Sequence, residues 1–160
     1  MSGTACGSPR LAGIFSRGRE LSNYDENKPA STDKRGESMP FSPFEIRVQP
    51  ESIHDGHVNN VQYMAFLEQA RQPWYHYFSR LGFRSFVARL QAEYKKEAFL
   101  GDVLLIHSSI ERVGNTSFVL RQLIRNQRDE LVLQAEVTFV AICARTGEKI
   151  RVPDELRQQA

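Results

Sequence analysis

The sequence predicts an α+β domain in which a curved antiparallel sheet of about five strands covers one long helix. Residues 59–82 carry an apolar stripe at steps of three and four residues, which is typical of an amphipathic helix. One segment with alternating apolar and polar residues precedes this helix, and four follow it, as expected for half-buried strands. A single amphipathic helix can cover one face of such a sheet, and this pairing defines the fold class.

The first predicted strand is Phe44–Gln49, in which apolar residues occupy every second position. Pro50 ends it, because proline cannot donate to a sheet ladder. Residues 51–58 follow as a polar loop that contains the dipeptide Asp55-Gly56.

The long helix has recognisable ends. Asn59 or Asn60 is a suitable N-cap, and Gly82 is a suitable C-terminal stop. Pro73 lies inside the pattern and predicts a kink, because it cannot donate to the carbonyl of Gln69. The apolar stripe consists of Tyr63, Phe66, Leu67, Ala70, Trp74, Tyr77, Phe78 and Leu81.

Four strand patterns follow the helix, with Gly and Asp residues at the turns between them. Leu131–Cys143 is the clearest, because its apolar face is uninterrupted. A short helical turn is expected within residues 153–159. The four predicted strands are Val87–Lys96, Asp102–Arg112, Ser117–Asn126 and Leu131–Cys143.

Length and composition fit one domain without a metal or disulfide framework. The chain has 160 residues, 41% of them apolar, and a formal charge of +2. This small charge argues against a nucleic-acid-binding protein, and no apolar stretch has the length of a membrane helix. Cys6 and Cys143 have neither disulfide-framework nor zinc-site spacing, so a cytoplasmic location and no cofactor are expected.

The N-terminal region differs from the rest of the chain. Residues 1–40 are polar and are predicted to be a disordered extension, whereas residues 41–160 form the domain. Arginines near Ser16 are typical of a mitochondrial transit peptide. The acidic residues nearby argue against one, because such peptides contain few acidic residues. The alternative is that Met39 is the true start and the tail is an upstream extension.

Residues 54–60 hold the chemistry that the sequence offers. A helix N-terminus has unpaired N–H groups and a partial positive charge, so it can stabilise a carbonyl oxygen that becomes negative during attack. Asp55 or His57, placed just before the helix, can then activate water or attack the carbonyl. Gly56 would allow a ligand close to the backbone. Asp-Gly and Asn-Asn are equally typical of turns and caps.

This region resembles a known family. Residues 56–63 read Gly-His-Val-Asn-Asn-Val-Gln-Tyr and residues 68–71 read Glu-Gln-Ala-Arg, which is similar to the Gly-His-Val-Asn-Asn-x-x-Tyr…Glu-x-x-Arg signature of hotdog thioesterases. These include the 4-hydroxybenzoyl-CoA thioesterase-like and acyl-carrier-protein thioesterase families. Residues 93–97 and 100–102 are similar to the family's Glu-Tyr segment and Gly-Asp turn.

The resemblance implies a hotdog fold, a homodimer or homotetramer, and sites at the subunit interface. It implies hydrolysis of acyl-CoA, of the kind used in fatty acid metabolism, to a free acid and CoA. The implied catalytic residues are Asp55, His57, Asn59, Asn60 and Glu93, and the implied substrate-binding residues are Gly56, Tyr63, Glu68 and Arg71. The backbone N–H groups of Asn59 and Asn60 are the oxyanion-hole candidates.

Structural roles compete with several of these assignments. Glu68 and Arg71 have the spacing of a helix-surface ion pair, and Tyr63 has the position of a core residue. Glu93 lies on the opposite side of its strand from the predicted core. His57 could equally pin the loop through its own hydrogen bonds.

One position departs from the family pattern. Many CoA-type members carry an Asp three residues before the Gly, where this chain has Ile53. Either Asp55 takes that place, or the loop is one residue shorter, or activity is reduced. The alternative functions are hydrolysis of acyl-carrier-protein substrates and non-catalytic binding of acyl thioesters.

Overall fold

The structure, a computed structural model, describes residues 43–160. The predicted extension, residues 1–40, and both interpretations of it lie outside the described residues. The strands are β1 Phe44–Arg47, β2 Ile53–His54, β3 His57–Val58, β4 Phe83–Tyr94, β5 Val103–Val113, β6 Ser117–Arg125 and β7 Leu131–Cys143. The helices are α1 Asn60–Ala70, α2 Gln72–Arg80 and α3 Asp154–Arg157, and a 3-10 turn spans Pro50–Ser52.

Five antiparallel strands form one sheet in the order β1-β5-β6-β7-β4. In β7, alternate residues from Leu133 to Cys143 are buried, so the uninterrupted apolar face predicted for this strand is confirmed. Phe139 on this face stacks on Phe118 of β6, with ring centroids 5.3 Å apart. The α+β class and the five-stranded sheet are as predicted.

The helices supply the other half of the core. Leu67 of α1 is fully buried in one apolar cluster, and Trp74 and Phe78 of α2 belong to a second. Each buried side chain of this size stabilises the fold by about 1.5–3 kcal/mol relative to an exposed one. The helix pair therefore lies against the concave face that the sheet provides.

The kink predicted at Pro73 is present as a break between α1 and α2. Arg71 caps both helices, with φ −84° and ψ −11°. Because Pro73 lies in the first turn of α2, its missing N–H removes no hydrogen bond that α2 needs. The predicted ends are also correct: Asn59 caps α1, and Gly82 follows α2 with φ +83°.

Two regions differ from the sequence-based prediction. The predicted loop before the helix contains a short β-hairpin, formed by β2 and β3 with two residues in each strand. Strand β4 begins at Phe83 rather than Val87, because an irregularity between Val87 and Arg89 interrupts the alternation that marks a strand. Alternation read from Val87 onwards therefore missed the first four residues.

Cys143 is buried at the end of β7 and is 5% exposed. Its burial agrees with the interpretation as a small core residue. It is disulfide-bonded, however, which the spacing of the two cysteines did not predict. Cys6 lies outside the described residues.

Candidate active site

The segment that carries the predicted chemistry is a tight hairpin. His54 pairs with His57, so that Asp55 and Gly56 form the two-residue turn. Their φ angles are +51° and +86°, as a type I′ turn requires, and Asp-Gly is a favoured sequence for it. A Cβ at Gly56 would meet nothing within 4 Å, so the conformation and not crowding accounts for glycine here.

Asp55 lies at the exposed tip of this hairpin. Its side chain is 83% exposed, and its Oδ2 atom lies 3.5 Å from the Nε2 atom of His54. The carboxylate does not line the cleft described below. The predicted acid is therefore close in sequence to the start of α1 but turned away from it.

The start of α1 has two unpaired amides. The Oδ1 atom of Asn59 accepts from the amide of Gln62 at 3.0 Å, and its carbonyl accepts from the amide of Tyr63 at 3.3 Å. Within the described chain, no backbone hydrogen bond uses the amides of Asn60 and Val61. These two donors, at the positive end of the helix, can stabilise an anionic oxygen.

A cleft of about 350 Å³ opens beside this helix end. It is bounded by β3, the first turn of α1 and the segment that follows β4. Its lining residues are His57, Val58, Asn60, Tyr63, Tyr94, Lys95, Lys96 and Glu97. Three predicted site residues, His57, Asn60 and Tyr63, thus meet at one cavity.

Tyr63 forms the inner wall of the cleft and is 3% exposed. Its ring contacts Tyr94 edge to face at a centroid distance of 5.7 Å. Burial raises the pKa of Tyr63 to about 12, and the backbone at Ala98 offsets this only partly. The hydroxyl oxygen has no hydrogen bond of normal geometry, so the Ala98 contact is at most a weak one.

The two lysines of the cleft are held by acidic residues outside it. Lys95 Nζ lies 2.6 Å from Glu93, and Lys96 Nζ lies 2.6 Å from Glu130. The hydrogen bond from Lys95 lowers the pKa of Glu93, and bonds from Asn126, Lys96 and Arg128 lower that of Glu130 to about 2. Glu93 is engaged by Lys95 and does not line the cleft.

Glu68 and Arg71 belong to a different network at the helix break. Arg71 is 3% exposed; it forms an ion pair with Glu68 and donates to Gln122 at 2.9 Å and to Tyr75 at 3.1 Å. Gln122, which is fully buried, also donates to the carbonyl of Leu67 at 3.1 Å. This arrangement ties α1 to β6 and lies outside the cleft. The i, i+3 pair that the sequence suggests is present.

The sequence did not single out Glu97, the one carboxylate in the cleft lining. No periodicity marks it, because it lies after the end of β4. Glu97 could have been found because it belongs to residues 93–97, the segment that is similar to the family's Glu-Tyr segment. Across residues 43–160, no group of His, Cys, Asp or Glu is placed to bind a metal. None of the described helices is long and apolar enough to span a membrane.

Comparison with known proteins identifies the family. Residues 37–160 match the model of the thioesterase-like superfamily. The long-chain acyl-CoA thioesterase FadM of Escherichia coli is 30% identical over 112 residues, which cover 64% of this chain and 83% of FadM.

Solved structures agree. The YbaW probable thioesterase from Escherichia coli superposes with a TM-score of 0.66 and 27% identity, covering 74% of this chain and 96% of that one. The protein SAV2348 from Staphylococcus aureus, solved in complex with CoA, has a TM-score of 0.64 at 18% identity, covering 73% and 79%. The latter shows the fold alone.

The helix pair and the curled five-stranded sheet define a hotdog-fold protein. The chain belongs to the thioesterase-like superfamily, and the family inferred from the signature in residues 56–71 is confirmed.

Proposed function

We propose that the cleft at the start of α1 is where this protein hydrolyses acyl-CoA to a free acid and CoA. The observation that carries the proposal is the pair of unpaired amides at the positive helix end, Asn60, which lines the cleft, and Val61, which follows it. Asn59 does not line the cleft, and the role of its amide stays a prediction. The likeness to FadM, a long-chain acyl-CoA thioesterase by name, supports a fatty acyl substrate.

The chemistry follows from charge. When water attacks the thioester carbon, the carbonyl oxygen becomes negative, and the helix amides stabilise it more strongly than they stabilise the neutral carbonyl. The C–S bond then breaks and the thiol leaves. His57 reaches the cleft and can orient the water, whereas the role of Asp55 as the base stays a prediction, since its carboxylate lies at the hairpin tip.

The assignment of Glu93, Glu68, Arg71 and Gly56 to the site also stays a prediction. Glu93 and Asp55, the two residues that favoured a carrier-protein substrate, both lie outside the cleft lining. CoA is therefore preferred over an acyl carrier protein as the thiol carrier. Comparing one acyl group on both carriers separates the two.

We also propose a homo-oligomer assembled through β4. This strand is an edge of the sheet and is twelve residues long. It exposes Phe86 at 65%, Val87 at 38% and Tyr94 at 52%, and a long edge strand with exposed apolar side chains is a surface that a second copy can cover. Sedimentation of the wild type and of Phe86→Glu tests this: the variant should dissociate, and unchanged sedimentation would place the interface elsewhere.

A cytoplasmic location is the remaining proposal. It rests on the two cysteines lacking the spacing of a disulfide framework, and the disulfide at Cys143 is the observation against it. Cell fractionation tests the cytoplasmic location, and titration of free thiols in the purified protein tests the disulfide.

The decisive experiment removes one amide without removing the helix. Asn60 is the first residue of α1, where proline is well tolerated, and Asn59 has φ −79° and ψ 163°, which suit a residue before proline. Asn60→Pro should therefore fold and lose roughly 10²–10³-fold in kcat. Asn60→Ala keeps the N–H group and is the matched control.

Release of thiol from a panel of acyl-CoAs is the readout. Full activity in Asn60→Pro would remove this amide from the mechanism. If the wild type releases no thiol from any acyl-CoA yet binds one saturably, the non-catalytic alternative replaces the enzyme.

A further inference from the structure

Glu97 lines the cleft, but the proposed reaction gives its carboxylate no role. It is the one acidic residue that lines the cleft, together with Asn60, whose amide is the proposed oxyanion donor. Its side chain is exposed, and within residues 43–160 no hydrogen bond or ion pair engages it. The other charged groups of the cleft are the two lysines, which Glu93 and Glu130 hold.

The backbone around Glu97 is fixed on both sides. The amide of Lys96 donates to the carbonyl of Val132 at 3.1 Å, which ties the segment to β7. The amide of Val58 donates to the carbonyl of Ala98 at 2.9 Å, which ties the segment to β3 beside His57. Glu97 is thus held between two anchored residues, in a segment that lies beside β3 of the hairpin.

A buried polar group lies at the inner wall of the cleft. The hydroxyl of Tyr63 has no hydrogen bond of normal geometry, and the backbone at Ala98 is at most a weak partner for it. The negative charge of Glu97 contributes to the raised pKa of Tyr63, after the larger effects of burial, Tyr94 and Asp102. Glu97 and Tyr63 therefore border the same cavity.

We propose that Glu97, and not Asp55, is the carboxylate that activates water in this cleft. The inference rests on the proposed function. Glu97 accepts a proton from water as the water oxygen bonds to the thioester carbon, and the amides of Asn60 and Val61 hold the resulting oxyanion. When the oxyanion collapses, the C–S bond breaks, and Glu97 returns the proton to the departing sulfur. The products are one carboxylic acid and one thiol.

The hairpin turns Asp55 outward, whereas the segment after β4 brings Glu97 in. The carboxylate of the cleft is therefore supplied by the segment after β4 and not by the hairpin turn.

The test compares four variants in the full-length protein: Glu97→Gln, Glu97→Asp, Asp55→Asn and Glu45→Gln. Glu45 is an exposed carboxylate on β1, outside the cleft, and is the matched control. Glu97→Gln should lose roughly 10²–10⁴-fold in kcat, the usual contribution of a general base, with little change in KM. Glu97→Asp, which keeps a carboxylate on a shorter side chain, should retain part of the rate.

The outcomes separate this inference from the proposed function. A Glu97→Gln variant with wild-type kcat would overturn the role of Glu97 while leaving thioester hydrolysis intact. The same holds if Asp55→Asn, and not Glu97→Gln, loses roughly 10²–10⁴-fold in kcat, the usual contribution of a general base. A loss confined to KM would make Glu97 a binding residue and would also overturn it. Absence of turnover in the wild type would overturn both.

Discussion

Arg71 offers a test of whether the Glu-x-x-Arg signature binds substrate or supports the fold. Its guanidinium is buried at the break between α1 and α2, where it donates to Gln122 and Tyr75 and pairs with Glu68. The change to make is Arg71→Met, which keeps an unbranched side chain of comparable length but removes every donor.

The magnitude follows from what is left behind. Gln122 is fully buried and loses the donor at 2.9 Å, and an orphaned buried acceptor costs about 1–3 kcal/mol. Tyr75 loses a donor at 3.1 Å, worth about 0.5–1.5 kcal/mol. The Glu68 side chain is 49% exposed and regains water, so its share is about 0–1 kcal/mol. The total is about 3 kcal/mol.

Thermal unfolding and kinetics are measured together. For a domain of this size, such a loss lowers Tm by roughly 10 °C, while the KM for acyl-CoA should stay within about twofold of wild type. Arg145→Met, in an exposed turn, is the control and should change stability by less than about 0.5 kcal/mol. The double variant with Gln122→Leu should cost less than the sum of the single changes, because the Gln122 acceptor that Arg71→Met leaves unpaired is no longer present. A normal Tm with a raised KM would refute the structural role and restore Arg71 as a substrate contact.

Three further predictions concern the first turn of α1 and the turn before β7. Asn59→Ala removes the side-chain acceptor for the amide of Gln62 and should lower the free energy of unfolding by about 1 kcal/mol, as measured by urea unfolding. An unchanged free energy of unfolding would mean that the cap contributes nothing. Tyr63→Phe removes an unpartnered buried hydroxyl and should leave stability unchanged or raise it by up to about 1 kcal/mol, so a clear loss would reveal a partner for this hydroxyl. In Glu130 the folded pKa, about 2, is below the ordinary 4.5, so this carboxylate stabilises the fold above pH 4.5 and loses that effect as the pH falls towards 2. Glu130→Gln should therefore be less stable than wild type at neutral pH and about as stable as wild type near pH 2. Thermal melts of both proteins from neutral to acidic pH measure this. A difference in stability that does not change with pH would contradict the lowered pKa.

The sequence by itself predicted much of this protein. Alternation identified all five strands of the sheet, because one face of each strand packs on the core and the other does not. Local chemistry identified Asn59 as a cap, Gly82 as a stop and Pro73 as a break. The family followed from residues 56–71, where a short run combines turn, cap and helix chemistry.

The tertiary structure decided which groups share a cavity. Asp55 and His57 are two residues apart, yet the hairpin turns one outward and leaves the other at the cleft, because a type I′ turn fixes both directions. Glu97 and Asn60 are far apart in sequence and meet only because backbone hydrogen bonds tie the segment after β4 to β3 and β7. Periodicity reports which side of an element is buried, but contacts between distant segments arise from packing, which no local pattern encodes.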